Sequence, residues 1–424
     1  MAGTILEIDG VRVEREETPA SAAELAQVMK EAHDAGRSMV AVGGGTKLHL
    51  GNPPRSAQLA VRTGRLRGVV EYEPSNLTVS ASAGTTLQEL QDTLRAKNQF
   101  LPLDPPHADR ATLGGLVACN TSGPIRFRYG TARDMLIGIR IAHADGTQTK
   151  AGGKLVKNVT GYDMCKLYAG SLGTLGIFSE LTFKVQPRPE AIATVMLACS
   201  SFRAALEATQ TILRADLTPD ALEALNGKAF EMLTGDACRA PWVLLLRFGE
   251  ADAAVRWQVD RMRGIAHASG TTVLNVLGMQ ESEEFWEQAV SARERSRGGE
   301  ELLLKCSVLY QSAPETERRM VEMGERWQAH TLLFCHAGNH VIYGRYEWPD
   351  AGRAADELLR AIAELRRHCS YVGGHVVVEK VRLDVKQRLD VWGYQAQALE
   401  LMRGIKKQFD PKGLLNPGRF VGGI

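Results

Sequence analysis

The sequence predicts an α+β protein: a glycine-rich α/β half, followed by a half of alternating strands and helices carrying an antiparallel sheet flanked by helices. Three observations carry that expectation. Helix caps and buried strands alternate with glycine loops as far as residue 186, and Gln186-Pro-Arg-Pro189 then interrupts the pattern. Beyond it strands and helices succeed one another, and two strands lie so close together around His340 that they read as an antiparallel pair.

The elements follow in order. Ser21-x-x-Glu24 forms a capping box ahead of Leu25, Val28, Met29 and Ala32, which repeat at helical spacing, and Gly36 is placed to stop the helix. Residues 38–42 read as a buried strand running into Gly43-Gly44-Gly45-Thr46-Lys47. Two strands follow, 68–73 and 77–81, the second alternating Leu77, Val79 and Ala81. Thr86-x-x-Glu89 is a second capping box, opening a helix that reaches Lys97. Residues 101–135 read as ordered loop, 137–142 as a strand, Asp145-Gly146 as a hairpin turn, and 177–185 as a half-buried strand on the alternation Ile177, Ser179, Leu181, Phe183 and Val185. Past Pro189 the expected strands are 191–199, 242–248, 301–310, 331–336, 340–346 and 375–383. The expected helices there are 202–214, 251–268, 314–328 and 351–368. Residues 386–409 read as one long helix, ended by Asp410-Pro411-Lys412-Gly413.

Composition excludes several classes. The 424 residues carry 51 basic and 49 acidic side chains, a formal net charge of +2, with no overall basic footprint for nucleic acid. No apolar run approaches the roughly 20 residues that span a bilayer, and the N-terminus lacks a basic region followed by an apolar core. The expectation is a cytosolic protein, with any membrane association supplied by partners. Cys119, Cys165, Cys199, Cys238, Cys306, Cys335 and Cys369 are scattered, with no C-x-x-C, so neither a disulfide framework nor a cysteine-ligated iron–sulfur or zinc site is indicated. The 42 glycines, about 10% of the chain against a usual 7%, are the one departure.

Those glycines cluster. Gly43-Gly44-Gly45-Thr46 follows a buried strand, so its amides can approach a phosphate without side-chain obstruction, although it is neither a Walker loop nor a Rossmann fingerprint. A second segment runs from Thr112-Leu113-Gly114-Gly115 through Ser122-Gly123-Pro124 to Tyr129-Gly130-Thr131-Ala132-Arg133-Asp134. A third is Gly161-Tyr162-Asp163 followed by Gly170-Ser171-Leu172-Gly173-Thr174-Leu175-Gly176-Ile177. Taken together with FDPKGLLNPGRF (409–420), this series resembles the PCMH-type FAD-binding domain of the vanillyl-alcohol oxidase superfamily, and within it the smaller FAD-binding subunit of bacterial glycolate oxidases. The resemblance implies an FAD-binding domain of two α/β subdomains over 1–188, a cap domain over 189–385, and a C-terminal helix and tail, 386–424, returning to the FAD domain.

It also implies site residues. Gly43, Gly44, Gly45, Thr46 and Lys47 would bind the FAD pyrophosphate, and Thr112, Gly114, Gly115, Ser122 and Gly123 would continue along the phosphates and ribityl chain. Tyr129, Gly130, Arg133 and Asp134 occupy the motif's next turn, with Arg133 and Asp134 equally readable as an internal ion pair. Gly173, Thr174, Gly176 and Ile177 match the adenine side, and Asn416 matches an asparagine that returns to the flavin. The FAD is expected to be non-covalent, because neither His49 nor His107 matches an attachment position.

For a 2-hydroxy acid the protein must add a cation for the carboxylate and a base for the hydroxyl proton. Candidate cations are Arg126, Arg128 and Arg345; candidate bases are His336, His340 and His375, of which His336 and His340, with Arg128, form the leading set. The superfamily's larger members hold a divalent metal with two more widely spaced histidines and a Glu preceding a His-Gly. Here Gly373-Gly374-His375 lacks that acid, and Glu379 lies in a strand-like run, so no metal is expected. The resemblance implies an FAD-dependent oxidoreductase acting on CH–OH groups in a glycolate oxidase complex, with a larger flavoprotein subunit and an iron–sulfur subunit as partners. Two alternatives stay open: a self-contained oxidoreductase on another 2-hydroxy acid such as D-lactate, and a non-catalytic FAD-binding scaffold.

Overall fold

Ser21 Oγ accepts the amide of Glu24 at 3.1 Å and starts the helix Ala22–Asp34, while the Glu24 carboxylate reaches one residue further back, to the amide of Ala20. At Thr86 the box closes reciprocally, with Glu89 N donating to Thr86 Oγ1 and Thr86 N to Glu89 Oε2. That helix spans Leu87–Arg95 and buries Leu87, Leu90 and Leu94. The computed structural model describes residues 6–153, 161–295, 298–348, 353–393 and 397–424, and the chain forms two compact units. The first comprises Met1–Ser122, Gly130–Arg188 and Asp390–Ile424, and the second Gly123–Tyr129 and Pro189–Leu389.

The first unit holds two principal sheets. A parallel three-stranded sheet runs in the order Arg15–Glu17, Leu59–Arg62, Met39–Val42. An antiparallel five-stranded sheet has the order Gln148–Gly152, Leu136–Ala142, Ile177–Lys184, Thr78–Ser82, Val69–Glu73. Central placement explains why Ile177–Lys184 is buried on both faces and not half-buried as its alternation suggests; Ser179 and Thr182 are enclosed along with Ile177, Leu181 and Phe183. Helix Ala22–Asp34 contributes Leu25, Met29 and Ala32 to a core shared with Met39, Val61, Ile177 and Leu415. The segment expected as loop over 101–135 contains a helix, Leu113–Cys119, because Thr112 caps it and Asn120 ends it in the left-handed region.

The long helix expected over 386–409 is not continuous. A short turn, Leu383–Lys386, ends before Gln387–Gly393, which is non-helical, and the helix resumes at Leu399–Phe409. The tail then comes back to the parallel sheet: Met39 N donates to Leu414 O (2.7 Å) and Asn416 N to Met39 O (2.8 Å). Asp410, almost wholly buried, folds this turn by accepting the amides of Leu414 (3.0 Å) and Leu415 (2.7 Å) and pairing with Lys406 at 2.6 Å.

The second unit is built on one antiparallel sheet of eight strands, in the order Thr272–Leu277, Ala191–Cys199, Trp242–Glu250, Ala221–Asn226, His330–His336, Val341–Trp348, Glu300–Ser307, His375–Lys380. Ala221–Asn226 and Thr272–Leu277, with the helices Gly227–Thr234 and Met279–Ala292, add to the expected elements. Helix Ala313–Arg326 packs on one face of the sheet, where Tyr346 Oη donates to Met320 O (3.0 Å). Helix Met279–Ala292 packs on the other, tied by Trp286 Nε1 to Thr194 Oγ1 at 2.9 Å.

Candidate functional site

In the first unit the glycine loops converge on one cleft. Its walls include Gly43, Gly44, Gly45, Thr46 and Lys47 from the loop after Met39–Val42, Thr112, Gly114 and Gly115 at the start of helix Leu113–Cys119, Gly173, Gly176 and Ile177, and Asn416 from the returning tail. The local fold demands glycine at several of these points. A Cβ on Gly44 would sit 1.7 Å from the carbonyl oxygen of Arg110, and Gly173, at φ +70°, would push a Cβ within 2.6 Å of the Asn416 amide nitrogen. Asn416 itself is held in the left-handed region at φ 43°, with Nδ2 donating to Leu172 O at 2.7 Å.

Sequence reasoning passed over Arg419 and Cys119, which also line the cleft. Arg419 is buried; its Nη2 donates to the carbonyls of Leu48 and Leu50, and its Nη1 has no hydrogen-bond partner in the protein. Burial pushes the Cys119 thiol up to about 11, although Lys47 and Arg419 pull the other way, so this side of the cleft carries positive charge and a neutral thiol. Small residues, backbone amides and an orphaned guanidinium nitrogen fit a pyrophosphate-bearing dinucleotide. The signal for Arg419 is its place in the same tail motif as Asn416, Asn416-Pro417-Gly418-Arg419.

Other expected cofactor residues have different duties. Ser122 is buried with an unpartnered Oγ, and Thr174 donates to Ser171 O (2.7 Å) inside the loop; neither lines the cleft. Asp134 accepts from the amide (2.8 Å) and hydroxyl (2.9 Å) of Thr131 and caps a short helix, with Gly130 packed against it. Arg133 donates to the carbonyl of Lys166 at 3.2 Å. These bonds fix a turn within the fold. Gly123 and Tyr129 belong to the second unit.

In that second unit the strand register gathers polar groups on one sheet face. Glu223 lies opposite His336, His336 opposite Val341, and Tyr343 opposite Lys305, so Glu223, His336, Tyr343 and Lys305 share the face. His336 is 2% exposed, with Nδ1 2.5 Å from Glu223 Oε1 and Nε2 3.5 Å from Nη1 of Arg293. A guanidinium can only donate, so Nε2 carries the lone pair and the proton sits on Nδ1, donated to Glu223. Arg293 Cζ also lies over the Tyr343 ring, 3.9 Å from its centroid. Burial, reinforced by Arg293, Arg126 and Lys305, pushes the imidazole well below its ordinary value, so His336 is neutral; burial pushes the Glu223 carboxyl well up.

The remaining expected catalytic groups are placed otherwise. Arg128 is paired with Asp220 (2.9 Å), which is wholly buried, and with Glu250 (2.6 Å). Arg345, 1% exposed, is enclosed with Glu347 (2.6 Å) and Glu301 (3.2 Å) in an internal ion cluster. His340 sits in the turn after His336 at φ 54°, edge-on to Tyr310, and the contacts of the two histidines are not shared. His375 shares the polar face, opposite Ser307, and its pKa is lowered by burial and then by Lys305. Among the described residues no group of three or more His, Cys, Asp or Glu side chains is arranged to hold a metal ion.

Comparison with known proteins bears on this arrangement. The FAD binding domain family matches residues 16–152, and the C-terminal domain of FAD linked oxidases matches residues 188–379 and 385–420. The chain belongs to the FAD-linked oxidase family. As an FAD-linked oxidase it is an FAD-dependent oxidoreductase. Similar proteins include the glycolate oxidase subunit GlcD of Bacillus subtilis, 27% identical over 392 residues, covering 89% of this chain and 82% of that protein. The glycolate oxidase subunit GlcE of Escherichia coli is 42% identical over 154 residues, covering 36% of this chain and 43% of that protein. D-lactate dehydrogenase of Archaeoglobus fulgidus is 26% identical over 417 residues, covering 95% and 90%. Among solved structures, alkyldihydroxyacetonephosphate synthase superposes with TM-score 0.75 at 16% identity over 96% of this chain and 77% of that one, which speaks to the fold alone. No helix among the described residues is long and apolar enough to cross a membrane.

Proposed function

We propose that this FAD-linked oxidase dehydrogenates 2-hydroxy acids and serves as the FAD-bearing subunit of a glycolate oxidase-like complex, passing electrons to an iron–sulfur partner. The carrying observation is the buried Glu223–His336–Arg293 group with Lys305 beside it. It offers two cations for a carboxylate and one neutral imidazole for a hydroxyl proton, the pair of functions a 2-hydroxy acid requires. Relatives bearing glycolate oxidase and D-lactate dehydrogenase names support the substrate class.

In the first unit the amides of Gly43–Lys47 and the guanidinium of Arg419 would hold the pyrophosphate, Thr112, Gly114 and Gly115 the adjoining chain, Gly173, Gly176 and Ile177 the adenine side, and Asn416 the flavin end. When bound, FAD would supply the hydride acceptor for a carbinol carbon. The chain's own residues do the rest. Arg293 and Lys305 bind the carboxylate, His336 Nε2 takes the hydroxyl proton, and Glu223 steadies the imidazolium that forms; the product is the 2-oxo acid. Scattered cysteines leave the onward electron relay to a partner. A self-contained D-lactate-type enzyme is the second reading, favoured by the match over nine-tenths of the Archaeoglobus D-lactate dehydrogenase.

Anaerobic mixing of the holoprotein with glycolate, D-lactate and D-2-hydroxyglutarate, alone and with co-expressed partner subunits, tests both. Bleaching of the flavin by a 2-hydroxy acid is expected. Bleaching without partners selects the self-contained reading, and no bleaching by any of the three in either format rejects the substrate class.

A further inference from the structure

His336 does not stand open. Its Nδ1 faces Glu223 from the neighbouring strand, its ring meets Tyr343 edge-on at 5.3 Å, and Nε2, the nitrogen that would take a proton, faces Nη1 of Arg293 at 3.5 Å. The other charged groups acting on it are Arg126 from the turn Arg126–Tyr129, Lys305 from Glu300–Ser307 and Glu379 from His375–Lys380. Three cations therefore oppose Glu379 around one imidazole, with Glu223 hydrogen-bonded to its Nδ1. The Nε of Arg293 is buried without a hydrogen-bond partner, so this guanidinium has donor capacity that the protein does not satisfy.

From this geometry, and resting on the hydroxy-acid reading above, we infer that Arg293 caps the base in the resting protein and that the substrate's own carboxylate uncaps it. A carboxylate accepts a charge-assisted, bidentate pair of hydrogen bonds that an imidazole nitrogen cannot match, so its arrival draws the guanidinium away from Nε2. Glu223 keeps the proton on Nδ1 throughout, which leaves the Nε2 lone pair facing the substrate hydroxyl. The O–H bond then breaks as N–H forms on Nε2; FAD, when bound, would supply the acceptor for the hydride whose departure leaves the carbonyl. The carboxylate also neutralises the charge that held the imidazole weakly basic. Glu223 is thus a positioning residue, and Arg293 determines specificity by release of the base as well as by binding. An uncharged alcohol that fits the site meets a capped nitrogen.

The test compares a 2-hydroxy acid with its 2-hydroxy amide, lactate with lactamide, in holoprotein carrying Arg293→Met, with Arg293→Lys as the milder variant. Lactate reduction of the flavin is expected to slow by about 100-fold or more. Lactamide reduction is expected to quicken relative to the wild type. Equal losses for both substrates, or unchanged lactamide turnover, would overturn the cap. Glu223→Gln should lower kcat by about tenfold or more at unchanged KM, with partial recovery in Glu223→Asp; a change confined to KM removes Glu223 from its positioning role. A readout free of turnover uses ¹⁵N-histidine NMR of the wild type with oxalate. The His336 Nε2 resonance should move on oxalate addition, and an unmoved resonance overturns the proposal even if 2-hydroxy acids prove not to be the substrates. Failure of lactate, glycolate and D-2-hydroxyglutarate with a moving resonance would instead reject the substrate reading and retain the cap.

Discussion

Gly44→Ala probes the cofactor loop most directly. The added Cβ would lie 1.7 Å from the carbonyl oxygen of Arg110 and 2.7 Å from its carbonyl carbon. A carbon–oxygen contact needs roughly 3.3 Å, so loop and neighbour must part by about 1.6 Å. Arg110 cannot yield by rotating a side chain, because the clash is with backbone whose amide is bonded to His107 O, and the next residue's carbonyl receives the amide of Leu87. The loop therefore moves, at an overpacking cost of about 1–3 kcal/mol. A displacement of that size would break the hydrogen bonds proposed from its amides to phosphate. Each is charge-assisted, at about 1.5–3 kcal/mol, so losing two weakens FAD binding by about 10²- to 10⁴-fold. The assay is the visible-to-ultraviolet absorbance ratio of the purified protein, with the FAD dissociation constant from reconstitution of the apoprotein. Gly64→Ala serves as control, since a Cβ there meets nothing within 4 Å. Gly44→Ala protein that keeps stoichiometric FAD at an affinity within threefold of wild type would refute the placement of the pyrophosphate on this loop.

Asp410→Ala should cost about 3–5 kcal/mol in urea denaturation, because it leaves Lys406 as an uncompensated buried charge and frees the amides of Leu414 and Leu415, and FAD should leave in parallel. Burial raises Glu317 from 4.5 to about 7. Between those values the folded chain holds a proton that the unfolded chain releases, so stability declines as pH rises through the window; Glu317→Gln should flatten that slope and raise the melting temperature at pH 8 over wild type. His336→Ala should cut turnover about 10²- to 10⁴-fold with FAD retained, whereas His340→Ala should change it by less than threefold; stopped-flow flavin reduction separates the two. Arg128→Ala should destabilise the second unit without altering KM, since it strips one of two partners from the wholly buried Asp220; calorimetry and steady-state kinetics check this together.

Much of the fold is legible locally. The boxes at Ser21 and Thr86, the Asp145-Gly146 hairpin and the glycine loops each announce themselves within a few residues, because caps and turns are local chemistry. What escapes is long-range. Ala221–Asn226 has apolar residues on both faces and abuts a helix capped by Asn226, so its periodicity does not separate strand from helix. Glu223 consequently goes unnoticed, although it meets His336 across 113 residues of chain. Arg128 shows the same limit: only the tertiary fold brings Asp220 and Glu250 to its guanidinium. The break after Lys386 has no proline or cap to mark it before Gly393.

The tail that adds to the strand at Met39 also closes a very large loop. Arg419 reaches Leu48 across 371 residues, and bringing such ends together costs about 5 kcal/mol of chain entropy. A dinucleotide touching both sides of that seam acts as a staple, stabilising the closed form by mass action in proportion to its free concentration. Occupancy and integrity then become one property. Cofactor-starved protein should open first at the seam and be cut by trypsin after Arg403, Lys407 or Lys412, so that supply of the cofactor sets how much intact protein persists.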